Sequence, residues 1–258
     1  MEIAIVNYFA LSFRPKLTVM KALKLACIAI MLLTAASCRL SNKRVKGNGN
    51  VTTETRSVGN ATKINVLGSM DVVLATGETS VKVEGDENVL NYILTEEHDG
   101  WLNIRERDNY DIQSKNNITV YITTPAISQI KVTGSGDVKS NSEFTSQDEM
   151  NFSITGSGDL TIAVNTPRLK AAIAGSGNLN ASGETRDVKV SIAGSGNFNG
   201  YDLKAENADI NIAGSGDASI YADVHLKANI MGSGGVHYKG NAIVDKSVMG
   251  SGTVSKDQ

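Results

Sequence analysis

From about residue 129 onward, apolar and polar residues alternate with period two, and the alternation restarts at a nearly fixed interval. A Gly-Ser-Gly tripeptide marks each restart, beginning at Gly134, Gly156, Gly175, Gly194, Gly214, Gly232 and Gly250, with intervals of 22, 19, 19, 20, 18 and 18 residues. Two residues before each copy stand Val132, Ile154, Ile173, Ile192, Ile212, Ile230 and Val248, all β-branched and apolar. Two residues after each copy stand Val138, Leu160, Leu179, Phe198, Ala218, Val236 and Val254. The position four before the motif is apolar in six copies, from Ile130 to Ala228, and is Lys246 in the last. In–out alternation of this kind predicts strands.

Strands joined by glycine corners every 18–22 residues predict the coils of a parallel β-solenoid, stacked about 4.8 Å apart so that equivalent residues form ladders. Branched residues suit the inside of such a pleated wall, and glycine suits a corner that needs backbone angles a Cβ forbids. The Leu-x-x-Leu-x-Leu and Asn signature of leucine-rich repeats, which have a similar period, is missing. The expected regular solenoid spans 134–258.

Residues 51–133 are less regular. Gly68-Ser69-Met70-Asp71-Val72, preceded by Val66, is a degenerate copy of the motif, and Val81/Val83 and Ile118/Val120/Ile122 alternate with polar neighbours. Glu87–Leu94 fits a helical turn, and Asp99-Gly100 predicts a hairpin turn before Trp101-Leu102-Asn103-Ile104. We read this stretch as wider, decorated coils that lead into the regular ones; a small separate β domain is the alternative.

The N-terminus reads as an address. Lys21 and Lys24 precede an apolar run from Leu25 to Ala36, too short to span a bilayer, and the run ends at Ala35-Ala36-Ser37-Cys38. This resembles a lipoprotein signal in which Cys38 takes a diacylglyceryl group and becomes the first residue of the mature chain. Residues 1–37 are then a signal peptide, with 1–19 an upstream start extension ahead of Met20-Lys21-Ala22-Leu23-Lys24. Residues 38–50 form a lipidated, flexible polar tether; a solvated linker is preferred to contact of Arg39, Lys43, Arg44 and Lys46 with anionic head groups. The mature chain keeps 21 basic and 26 acidic residues, so no basic domain suggests a nucleic-acid partner. Cys27 would leave with the signal, so no disulfide is expected.

The lipobox, the GSMDVVL opening, NITVYITTP leading into IKVTGSGDV, and the serial GSG[DN] coils together resemble the auto-transporter adhesin, head GIN domain family, over residues 58–254. The resemblance implies a right-handed parallel β-helix, an extracytoplasmic lipoprotein and an adhesin-like role, with no catalytic residues to carry over. Surface lipoproteins of the Bacteroidota, where the family is common, often carry acidic residues soon after the cysteine. Arg39–Arg44 holds none, which favours a periplasm-facing position at the outer membrane.

Few residues suggest chemistry. After the corners come Asp137, Asp159, Asn178, Asn197 and Asp217, which fit either a calcium ladder built on Asp137, Asp159 and Asp217 or side chains that stabilise turns. The turn reading is preferred, because calcium β-rolls repeat every nine residues and here one Asx falls in each coil of about 19. Stacked carboxylates also bring glycoside hydrolysis to mind, but no long loop after Gly134 could wall a cleft. His98, His225 and His237 do not cluster, and we place Trp101 in the core beside Ile104 in preference to a sugar-stacking platform.

Binding finds more support. One outward row reads Lys131, Ser153, Ala172, Ser191, Asn211, Asn229, Ser247, and its neighbour reads Thr133, Thr155, Ala174, Ala193, Ala213, Met231, Met249. If both face out, they make a flat, nearly uncharged stripe suited to a glycan, an envelope protein or a second copy. If the second row lies in the turn, it is partly buried, and the sequence leaves this open. The expected function is a non-enzymatic envelope lipoprotein that binds without a cofactor beyond its acyl lipid, the alternative being a calcium-dependent or carbohydrate-active β-helix.

Overall fold

The computed structural model describes residues 43–59 and 62–258. The N-terminal strands are β1 (Lys43–Lys46), β2 (Val51–Arg56), β3 (Lys63–Gly68), β4 (Asp71–Thr76), β5 (Ser80–Asp86), β6 (Ile93–His98), β7 (Trp101–Glu106), β8 (Tyr110–Gln113) and β9 (Thr119–Thr124). The repeat region holds β10 (Gln129–Gly134), β11 (Val138–Thr145), β12 (Glu149–Gly156), β13 (Leu160–Gly175), β14 (Leu179–Gly194), β15 (Phe198–Gly214), β16 (Ala218–Gly232), β17 (Gly235–Lys239), β18 (Ile243–Gly250) and β19 (Thr253–Lys256). The single helical element among the described residues is a 3-10 turn at Leu90–Tyr92, inside the predicted Glu87–Leu94 segment.

The repeats stack as a parallel β-solenoid. Gly134, Gly156, Gly175, Gly194, Gly214, Gly232 and Gly250 pair in register from coil to coil, and so do the residues two and four positions before them. Each coil has two faces. In β13 the buried residues are Leu160, Ile162, Val164 and Thr166, then Leu169, Ala171 and Ile173. The alternation slips by one residue at Pro167–Arg168, and that slip turns the chain from its first face to its second. The turn leaves Thr166 buried, and its hydroxyl donates to the carbonyls of Asp148 (2.6 Å) and Arg168 (3.3 Å). Thr185 repeats this one coil on, donating to Asp187 O at 3.2 Å. A buried hydroxyl is tolerated here because it has a partner.

The N-terminal region is continuous with the solenoid, not a separate domain. Gly68 stacks directly on Gly134, with Ile64 and Val66 on Ile130 and Val132, while β4 pairs with β11. The order of coils, however, departs from the order of the chain. The coil made by β7 and β9 stacks on the far side of β3 and β4, although it follows them in sequence. After Thr76 the chain runs outward through β5, which is antiparallel to both β9 and β2, and turns through β6. It then completes the outer coil and returns to lay β10 on β3. The β6–β7 hairpin turns at Asp99-Gly100, both in the left-handed region with φ 52° and 77°. Val89, Leu90 and Ile93 are fully enclosed at this end.

The polar segment expected to be a flexible tether is built into this cap over 43–50. β1 pairs with β8 from Lys43↔Tyr110 to Lys46↔Gln113, and Asn48 donates its backbone N–H to Asn88 Oδ1 at 2.8 Å. Beside this segment lies Asp86, a fully enclosed carboxylate that no motif in the sequence singles out. It accepts from Ser114 Oγ (2.9 Å), Lys115 N (2.6 Å) and Asn116 Nδ2 (2.6 Å). Gly47 lies against it so tightly that an added Cβ would sit 1.7 Å from Asp86 Oδ2. Asp86 thus holds the 114–116 loop and packs against Gly47, while Asn88 Nδ2 donates to Lys46 O at 2.8 Å. The signal segment 1–37 and Cys38 lie outside the described residues.

The amide of Asn116, helped by Lys115 N and Ser114, holds the Asp86 carboxyl below the usual carboxylate range against the opposing effect of burial. A folded-state pKa below the unfolded one adds stability above about pH 4, and that contribution is lost as pH falls through the folded value. Asp86→Asn should therefore be less stable than the parent at pH 7, with the difference shrinking in acid. Paired urea melts at pH 7 and pH 3 check this; a constant difference would deny Asp86 its role.

Candidate functional site

The second face carries the stripe. Its first row stacks Lys131, Ser153, Ala172, Ser191, Asn211, Asn229 and Ser247 in register, and its second stacks Thr133, Thr155, Ala174, Ala193, Ala213, Met231 and Met249. Every member of the second row is exposed, Met231 by 60% and Met249 by 68%. Both rows therefore face out, because the corner begins one residue later, at the glycine. Between them the floor is formed by Ile154, Ile173, Ile192 and Ile212.

The result is a shallow trough of about 440 Å³ lined by Ser153, Thr155, Ala172, Ala174, Ser191, Ala193, Asn211, Ala213, Asn229 and Met231. The two asparagines of the first row are engaged: Asn229 Nδ2 donates to Asn211 Oδ1 at 2.9 Å, and Asn211 Nδ2 to Asp209 Oδ1 at 3.0 Å. The surface thus offers alanine methyls and a methionine thioether beside the hydroxyls of Ser153, Thr155 and Ser191.

A charged rim runs alongside. Lys170 pairs with Glu149 at 3.0 Å, and Lys189 lies 3.8 Å from Asp209. The hydrogen bond from Lys170 holds the Glu149 carboxyl below its usual range. Toward the N-terminal end the rim meets Trp101. This side chain is half-buried on the outer surface and is not in the core, where Leu102 and Ile104 sit. In the alternation it occupies the outward register, and Lys131 Nζ covers its ring at 4.3 Å and Lys63 Nζ at 5.9 Å. Cations over the ring face make a favourable contact and leave less of it free for a sugar.

The Asx column works as a main-chain brace. Asp159 N donates to Asp137 Oδ1 (2.9 Å), Asn178 N to Asp159 Oδ1 (2.7 Å), Asp217 N to Asn197 Oδ1 (2.9 Å) and Gly235 N to Asp217 Oδ1 (2.6 Å). Asn197 Nδ2 donates to Asn178 Oδ1 at 3.0 Å. Each side chain accepts from the coil that follows, so Asp137, Asp159 and Asp217 spend acceptor oxygens on the fold. Among the described residues no group of three or more His, Cys, Asp or Glu is arranged to hold a metal ion. His98 pairs with Asp99, His225 is exposed, and His237 Nδ1 lies 3.0 Å from Ser255 Oγ. The histidines stay apart. No helix among the described residues is long and apolar enough to cross a membrane.

Fold and surface together define a solenoid that presents a long, flat, weakly polar face. The chain belongs to the family described as "putative auto-transporter adhesin, head GIN domain", whose model matches residues 60–242. Solved structures with the same fold include a "putative lipid binding protein" from Parabacteroides distasonis, 29% identical, TM-score 0.70, covering 84% of this chain and 100% of that one. A "putative adhesin" from Bacteroides fragilis is 21% identical, TM-score 0.79, covering 83% of this chain and 100% of its own. Another, from Parabacteroides merdae, is 23% identical, TM-score 0.68, covering 84% and 100%. No curated protein matches the sequence.

Proposed function

We propose that this chain is a non-enzymatic, adhesin-like binding module of the cell envelope, anchored to the outer membrane by lipid on Cys38 and binding through the trough on its second face. The observation that carries the reading is the trough itself: two in-register rows of small, uncharged side chains on a rigid sheet. Such a surface contacts a partner with little side-chain entropy to lose. Family membership and fold favour an adhesin-like module over an enzyme, and the Asx column favours a structural role for its acids over calcium binding.

A lipid chain is a second reading of the same trough. Its support is the alanine and isoleucine lining and the description of the 29%-identical relative as lipid binding. Since 43–50 belong to the cap, only Arg39–Asn42 would link a lipidated Cys38 to β1. A periplasm-facing position is favoured by the lack of acid after Cys38.

The test is Ala193→Glu with Ala213→Glu. Both side chains are exposed, so melting should stay within about 1 kcal/mol of the parent. Binding to isolated envelope fractions, and to dispersed fatty acid if the second reading is right, should fall to background. Undiminished binding by a folded double variant rejects the trough. Protease treatment of intact and lysed cells, followed with a tag after Gln258, assigns the side of the membrane: protection until lysis is the expected result.

A further inference from the structure

The fold sorts its methionines into two kinds. Met70 and Met150 are sealed in the core, 1% and 0% exposed. Met231 and Met249 stand on the second row of the stripe, 60% and 68% exposed, and stack on one another in register. The exposure of Met231 follows from its outward register, since its strand is paired with β15 on one side and β18 on the other. Met249 takes the same register on β18. The described residues contain no cysteine, so these two thioethers are the softest nucleophiles on the described surface.

A thioether of this kind reacts with a hydroperoxide. The sulfur lone pair attacks the terminal peroxide oxygen, an S–O bond forms and the O–O bond breaks. The proton of the transferred hydroxyl passes to the departing oxygen, which leaves as water or an alcohol. Sulfur is oxidised by two electrons and the peroxide is reduced by two. The product is a sulfoxide, a polar group with a strong acceptor oxygen. On an outward side chain that oxygen is hydrated and leaves the coil intact. At Met70 or Met150 it would be buried without a partner, and the packing around them denies the peroxide access. Met231 lines the trough beside Ala213 and Ile212. Its oxidation therefore changes the character of that end of the trough and spares the fold beneath.

We infer that Met231 and Met249 form a reversible oxidation site for hydroperoxides, one that turns this end of the trough from apolar to polar and is restored by thiol-dependent methionine sulfoxide reductases. Its effect on binding rests on the trough being the binding surface; the order in which the methionines react does not.

The test is dilute hydrogen peroxide on the folded full chain, followed by peptide mapping in the mass spectrometer. Met231 and Met249 should be converted about tenfold faster than Met70 and Met150, or more. The far-UV circular dichroism should stay unchanged while the oxidised chain elutes earlier from a phenyl column. A methionine sulfoxide reductase with dithiothreitol should reverse the elution shift. Dispersed fatty acid should bind the oxidised chain about fivefold more weakly. Met231→Leu with Met249→Leu keeps the apolar surface without its sulfurs, so its elution and binding should not respond to peroxide. Met70 or Met150 reacting as fast as Met231, an elution unchanged by oxidation, or a peroxide response that survives in the leucine variant would each overturn the inference. A parent chain that binds neither fatty acid nor envelope fractions would reject the trough as a binding surface, and the peptide map with the elution shift would still decide the oxidation site.

Discussion

Replacing Ile192 with aspartate is expected to unfold the central coils. Ile192 is 2% exposed and stacks in register between Ile173 and Ile212, both equally enclosed. Inward neighbours in adjacent coils are apolar, so a carboxylate here has neither a cation nor a hydrogen-bond donor in the ladder. An unpartnered buried polar group and a lost isoleucine together cost about 4 kcal/mol or more. Because each coil contacts only its neighbours, the damage should propagate as lost cooperativity between coils on either side. Burial raises the pKa of the introduced acid, so the variant should recover part of its stability as pH falls toward about 4. Chemical unfolding with amide exchange across Ala171–Ile230 measures both effects. An Ile192→Asp protein that melts like the parent would mean the ladder is not internal. Ala193→Glu, one residue away and outward, is the matched control.

Gly194→Ala should be nearly as damaging, although it adds a single methyl group. The residue has φ +124°, where an L side chain is strained, and its Cβ would lie 2.4 Å from the carbonyl oxygen of Gly175 in the coil beneath. That oxygen accepts from Ser195 N at 2.9 Å and Gly196 N at 3.0 Å, so it has little freedom to retreat. Strain plus overpacking amounts to about 4 kcal/mol, a fall in Tm of about 10 °C for a chain of this size. The intervening Ser195 is exposed, and Ser195→Ala should melt like the parent. A Gly194→Ala protein within a degree or two of the parent would show that neighbouring corners are looser than they are drawn.

The contrast among these positions shows what can be read along the chain. The repeat ladders were legible because a solenoid writes its fold locally. Each of the seven Gly-Ser-Gly corners needs the same backbone angles, and each flanking residue repeats its neighbour's environment 18–22 positions away. The first outward row of the stripe followed from the same register, while the second, next to the corner, was left open. Trp101 was placed inside for its size, although Leu102 and Ile104, two residues apart, already set the inward phase and leave Trp101 and Asn103 outward. In the fold, Lys131 and Lys63 come from other strands to cover its ring.

The amino-acid sequence by itself determined the repeating coil, its buried columns and its glycine corners, since all three depend on interactions between residues with equivalent positions in consecutive repeats. Only the tertiary structure decided the orientation of the second row of the stripe and the ordering of the N-terminal coils, with β7 and β9 stacked outside β3 and β4. It also decided the meeting of the 114–116 loop and Gly47 at Asp86. Those features have no period: they arise where chain segments far apart in sequence meet once, and a single encounter leaves no pattern to read.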